Sequence, residues 1–195
     1  NGKLLVYHEQ GIGDELRFAS CFKDLTHKAL APCIIETDPR LAPLFSRSFP
    51  EIEFISKLPR SKTAIPNVDY SHIVKTKNIE AHTALGDLPL HLRPNIESFS
   101  KEISYLIPNP KFSDVWKEQL DRMSPGKKIG FCWNTASPNK RYDDYFFSIK
   151  ELNPIFSIEN SVLINLQATD CEEELKLAEE YFGVEIYRPK SIDMF

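Results

Sequence analysis

Apolar runs of strand length alternate with amphipathic runs of helix length along the whole chain, and this alternation limits the possible folds more than any other feature. Lys3 to His8 (KLLVYH) is a short run of the buried-strand type, followed by the Gly-rich turn Gly11-Ile12-Gly13. Beyond Asp14, the residues Phe18, Phe22, Leu25 and Ala29 fall at i, i+4, i+7 and i+11, one face of an amphipathic helix. Cys33 to Thr37 (CIIET) is the next predicted strand. Asp38 and Pro39 are placed to cap and open a helix running through Leu44 and Phe45. Ile52 to Ile55 and Tyr70 to Val74 (YSHIV) supply a third and a fourth predicted strand. From Lys75 to Pro110 the pattern is broken by Pro89, Pro94 and Pro108 and reads as loops and short helices over a sheet edge.

Phe112 to Met123 is helical again. Trp116 stands at helical spacing from Phe112 and Leu120 and is expected in a core, and Pro125-Gly126 stops the helix. The period then restarts with a strand at Lys128 to Trp133, a helix at Ile149 to Phe156, a strand at Val162 to Leu166, a charged helix at Cys171 to Phe182 and a strand at Val184 to Tyr187. Parallel neighbours need a crossover, so repeated β-α units imply parallel sheets covered by helices. The expected fold class is α/β with Rossmann-like parallel sheets. Residues 1–110 form a first domain, 111–126 a linking helix and 127–195 the first half of a second domain, left incomplete with three strands. Starting at Asn1 without Met, the chain reads as a piece of a longer protein.

Charge and composition narrow the function classes. With 24 Lys plus Arg against 28 Asp plus Glu, the formal charge of −4 provides no general positive field, and a nucleic-acid partner is not expected. No run approaches the roughly 18 apolar residues of a membrane span. Cys21, Cys33, Cys132 and Cys171 stand far apart, as reduced thiols of a cytoplasmic protein do. The five histidines form no HExxH or HxH pair and no DxD pair occurs, so no metal site is expected.

Two stretches carry chemistry. Glu9-Gln10-Gly11-Ile12-Gly13-Asp14 joins a strand to a helix start, where free backbone N–H groups face a ligand. The dinucleotide fingerprint GxGxxG fails because Leu16 takes the third glycine position. Asp14 suits either a general base for a hydroxyl or an ordinary helix N-cap, and Glu9 and Gln10 read equally as solvated loop residues. His82 and Gly86 are expected over the same strand edge as Gly13, although a lone histidine is more often structural. The second stretch, Trp133 to Ser148, follows another strand, and its Lys140 and Arg141 could neutralise a diphosphate or pair with Asp143 and Asp144 on the surface. The run Glu172-Glu173-Glu174 reads as a solvated helix start.

EQGIGDELRFAS (Glu9 to Ser20), ETDPRLAPLFSRSFP (Glu36 to Pro50), LGDLPLHLRPNIESF (Leu85 to Phe99), IGFCWN (Ile129 to Asn134) and NLQATDCEEEL (Asn165 to Leu175) together resemble the glycosyltransferase-like region that follows tetratricopeptide repeats in many bacterial proteins, a relative of the heptosyltransferases. The resemblance implies a GT-B architecture and metal-independent, inverting transfer of a sugar from a nucleotide sugar to a protein or glycan hydroxyl, with no cofactor beyond that donor. It implies Asp14 as base, an acceptor pocket shaped by Gln10, Gly11, Gly13, His82 and Gly86, and donor contacts from Asn134, Lys140, Arg141 and Gln167. Phe147-Ser148-Ile149-Lys150 stands where relatives carry Arg-Ser-Ile-Pro, and the part of the donor site beyond Phe195 is not in this chain, so residues 1–195 alone are expected to be inactive. The alternative is a catalytically silent ligand- or partner-binding module of the same fold; a dinucleotide-dependent oxidoreductase ranks third.

Overall fold

Short apolar strands become stable only when their edges are paired and their faces covered, and both conditions are met by parallel pairing under helices. A computed structural model describes residues 2–59, 61, 67–101, 104–134 and 147–189. The chain divides between Asn109 and Pro110 into two compact units.

The first unit runs β1 (Lys3–Tyr7), α1 (Ile12–Phe18), a one-turn 3-10 helix, α2 (Phe22–Lys28), β2 (Cys33–Thr37), α3 (Ala42–Ser48), β3 (Glu53–Ser56), α4 (Ser71–Lys77), β4 (Ile79–Ala84) and, after a second 3-10 turn, α5 (Leu88–Leu92). Its sheet has the order β3-β2-β1-β4 and every pair is parallel. Val6, Ile35, Phe22, Phe45, Phe49, Leu85 and Leu88 share one buried core. Phe22 is fully buried, and its ring meets those of Phe45 and Phe49 edge-on at 5.5 and 5.2 Å.

The second unit contains α6 (Pro110–Arg122), β5 (Lys127–Phe131), a 3-10 turn leading into α7 (Asn153–Phe156), β6 (Ser161–Asn165), α8 (Glu172–Phe182) and β7 (Ile186–Tyr187). Its sheet, β5-β6-β7, is also parallel. Phe131, Trp133, Ile149, Phe156, Leu163 and Leu175 form its core. The α/β class with two Rossmann-like parallel sheets is therefore what the chain adopts.

Several local expectations are corrected. YSHIV is not a strand: Ser71–Lys77 is a helix ended by Asn78 in the left-handed region (φ 55°), and the fourth strand is the segment after it, read from sequence as loop. The helix expected from Pro39 starts at Ala42, where Pro43 takes the first-turn position and Asp38 instead ties down a turn. Trp116 is only half-buried, and α6 has no buried residue, Phe112 being 63% exposed. The segment read as a linking helix belongs with the second unit.

Candidate functional site

The order β3-β2-β1-β4 sends the chain from β1 outward to one side, through β2 and β3, and then back across to β4 on the other side. In open α/β sheets such a reversal leaves a crevice at the carboxyl ends of the two strands, here β1 and β4, and ligands bind there. The two loops that border this crevice carry His8 to Gly11 and Leu85 to Asp87.

Gly11, in extended conformation at φ −87°, is the N-cap of α1, and no side chain caps the helix. Asp14 is therefore not the N-cap. It sits within the first turn, and its Oδ1 accepts a hydrogen bond from Arg17 Nη2 at 2.7 Å. With side chains 71% and 36% exposed, the Arg17–Asp14 pair contributes little stability. Asp14 Oδ2 lies over the turn, 3.8 Å from the position a Cβ on Gly11 would occupy, whereas a Cβ on Gly13 would meet nothing. Neither glycine is demanded by the packing of the fold itself; both leave backbone uncovered at the crevice.

Beneath the turn lies a buried polar layer that the sequence reading missed. Glu15, 1% exposed, accepts from Thr37 Oγ1 at 2.5 Å and from the Asp38 amide at 3.1 Å. Its Oε1 stands 2.8 Å from His8 Nδ1, within ion-pair reach but off the line of a hydrogen bond, and His8 Nε2 is buried without a partner among the described residues. Glu36, also 1% exposed, accepts from the His8 amide at 2.9 Å, the Leu58 amide at 2.6 Å and the Tyr70 hydroxyl at 2.6 Å. Two buried carboxylates thus fasten the ends of β1, β2 and β3 to one another. A signal existed for both: Glu36 follows Cys33, Ile34 and Ile35 in a strand buried along its length, and Glu15 falls at helical spacing with Ile12, Ala19 and Phe22, which pack inward.

Of the residues predicted to shape an acceptor pocket, Gln10, Gly11, Gly13 and Gly86 gather at this crevice. Gly86 lies in the 3-10 turn after β4, and its amide donates to Glu9 Oε1 at 3.0 Å, joining the two bordering loops. His82 does not join them. It sits in the middle of β4, in register with Leu5, exposed and with its ring 5.9 Å from that of Tyr7.

In the second unit the carboxyl ends of the strands are held by amide chemistry. Gln167, 5% exposed, accepts from the Trp133 and Asn134 amides at 3.2 and 3.1 Å and donates to the Asn134 carbonyl at 3.1 Å and to Thr169 Oγ1 at 2.8 Å. Gln167 and Asn134 are brought together as predicted, but Gln167 spends its polar atoms on the loop rather than presenting them outward. Lys140 and Arg141 lie outside the described residues. A cleft of about 250 Å³ opens beside Gln167 and is lined by Asn165, Thr169, Asp170, Glu172 and Arg188. Arg188 donates to Glu179 at 2.7 Å, to Glu172 at 2.9 Å and to the Ile186 carbonyl at 2.7 Å. Its guanidinium holds the Glu179 carboxyl below the usual carboxylate range. Burial pushes the Cys171 thiol up, away from reactivity. Glu172, Glu173 and Glu174 do form the first turn of α8, with Glu172 drawn into this pairing.

The chain is similar to Protein FlbA of Caulobacter vibrioides. The identity is 34% over 203 aligned positions, covering 98% of this chain and 33% of FlbA, so the chain spans about a third of that relative's length. No family model matches the chain. No solved structure matches it either. Among the described residues no group of three or more His, Cys, Asp or Glu side chains could hold a metal ion, and no helix is long and apolar enough to cross a membrane. All four cysteines are free, with Cys132 exposed and the other three buried.

Proposed function

We propose that the chain is part of a cytoplasmic glycosyltransferase-like protein of GT-B type that moves a sugar from a nucleotide donor to a protein or glycan hydroxyl, without a metal and with inversion. Asp14 is the base in this reading: it takes the proton of the acceptor hydroxyl as that oxygen attacks the anomeric carbon, while the bond to the diphosphate breaks and the diphosphate leaves with the electron pair. The observation that carries the reading is the crevice between β1 and β4, bordered by a glycine turn without a side-chain cap and with Asp14 Oδ2 lying over it. The free thiols are in keeping with a cytoplasmic setting. The test is release of nucleoside diphosphate from a panel of uridine, guanosine and cytidine diphosphate sugars by the full-length protein. Loss of a general base costs about 10²- to 10⁴-fold, so Asp14→Asn should lower turnover by that range. Absence of turnover in the full-length protein would reject the reading, and unchanged turnover in D14N would remove Asp14 as base.

A silent binding module of the same fold is the second reading. Gln167 and Arg188, at the strand ends of the second unit, are taken up by their own protein partners, so neither is free for a diphosphate. Ligand binding without turnover by the full-length protein would favour it.

A further inference from the structure

Apolar side chains exposed one at a time are ordinary on a protein surface, whereas grouped ones mark a contact surface. Among the described residues the three most exposed large apolar side chains are Leu30, fully exposed, Ile96 at 85% and Leu90 at 74%, and Phe99 is 57% exposed. All four lie in one sector of the first unit, built from the end of α2, from α5 and from a 3-10 turn at Ile96–Ser98. Specific contacts bridge the sequence distance between them. α2 packs against α5, and Lys28 Nζ donates to the Leu92 carbonyl at 3.2 Å, which ties the two helix ends together. The buried Arg93 donates to the Ser20 carbonyl at 3.0 Å and to the Ser98 carbonyl at 2.7 Å, pairs with Asp24 of α2, and lies 5.3 Å from the centre of the Phe99 ring. The Asn95 side chain accepts from the Ser98 amide at 3.0 Å and so fixes the turn that carries Ile96. A buried guanidinium and a capped turn thus hold this sector in place with its apolar side chains outward.

The same segments invert the charge of the chain. Residues 22–31 and 88–101 carry four Lys and Arg against two Asp and Glu, together with His27 and His91, whereas the whole chain has 24 against 28. Arg93 and Asp24 answer each other, so the exposed charges are Lys23, Lys28 and Lys101 against Glu97. A second copy of the chain would bring these cations against their own kind. A helical or extended peptide docks in a groove, and side chains this exposed form no walls for one. The surface of an anionic bilayer needs neither walls nor opposite charge on a copy: apolar tips enter the boundary between headgroups and acyl chains while neighbouring lysines meet the acidic headgroups. We propose that this sector docks the protein on a membrane surface rich in anionic lipid, with Leu30, Leu90, Ile96 and Phe99 entering the interface and the three lysines at headgroup level. The contact is peripheral and is independent of the transferase reading.

The test is flotation of the whole chain with phosphatidylcholine vesicles containing about 30% phosphatidylglycerol, at low salt, beside vesicles of phosphatidylcholine alone. The wild type should float with the anionic vesicles and bind them about 10-fold more tightly than the neutral ones. Leu90→Ser combined with Ile96→Ser should weaken that binding about 10-fold by removing apolar area. Lys101→Glu should weaken it by about as much through charge alone. The three side chains lie outside both cores, and an unchanged melting temperature in each variant separates lost binding from lost fold. A wild type that stays off the anionic vesicles, equal flotation with both kinds of vesicle, or variants that float as the wild type does would overturn the proposal. So would a wild type that ignores the vesicles and self-associates instead, with the association lost in L90S/I96S, because the patch would then be an interface between proteins.

Discussion

The two units solve one problem in opposite ways. Each must fasten the carboxyl ends of parallel strands, where backbone groups leave the ladder and need new partners. The first unit does it with the carboxyl side chains of Glu15 and Glu36, which draw amides and hydroxyls inward from the ends of β1, β2 and β3. The second uses Gln167, which both donates and accepts, and an Arg188 held between two glutamates on α8. The consequence is a difference in what remains unsatisfied. Among the described residues, His8 Nε2 and Glu9 Oε2 at the first edge and Trp133 Nε1 at the second are buried without hydrogen-bond partners, while Gln167 and Arg188 are engaged.

Glu36→Ala is the most severe way to break this arrangement. It removes the acceptor of three hydrogen bonds and leaves the buried His8 amide and the half-buried Leu58 amide without partners, for an expected loss of about 3–5 kcal/mol in the first unit. Hydrogen exchange at the β1 and β2 amides should show it, with the β5 and β6 amides unchanged. A loss below about 1 kcal/mol would mean that the acidic layer is not structural. Gln167→Ala is the matching change in the second unit. Its partners are neutral and Asn134 is solvent-exposed, so water replaces part of what is lost, and about 1–3 kcal/mol is expected, confined to the β5 and β6 amides. If Q167A proved the more destabilising of the two, the acidic edge could not be called the more tightly wired one.

How far the sequence revealed this depends on which physical signal each residue carries. CIIET announces β2 because a run of β-branched apolar residues leaves few alternatives, and it is buried along its whole length. YSHIV also carries aromatic and β-branched residues, yet the edge position went to the following segment, IEAHTA, whose exposed Glu80 and His82 suit a strand with one free side. Composition reports fitness for a pleated surface; tertiary pairing decides which neighbour takes it. The glycine turn and Asp14 were legible because glycine and a first-turn carboxylate are local features. Glu9, Glu15 and Glu36 were not read as buried, although an inward helix face and a buried strand marked the latter two, because the donors that surround them come from residues 22 to 77 positions away. His82 was misplaced for a related reason: without β4, the loop before Gly86 could not be distinguished from the strand leading into it.

The smallest expected effect concerns the ion pair that closes the second edge. Arg188 depresses the Glu179 carboxyl, so the pair contributes stability above the unfolded glutamate value of about 4.3. That contribution is lost as the pH falls through the lower folded value. The side chains are 31% and 24% exposed, which limits the contribution to below about 1 kcal/mol. The Ile186 amide donates to Glu179 Oε1 at 2.8 Å and is the local reporter. Its exchange protection, corrected for the intrinsic rate, should fall on acidification below about pH 4, and Glu179→Gln should remove the acid dependence while keeping an acceptor for that amide. An acid dependence that survives in E179Q would assign it to another carboxylate and leave the second edge fastened by Gln167 alone.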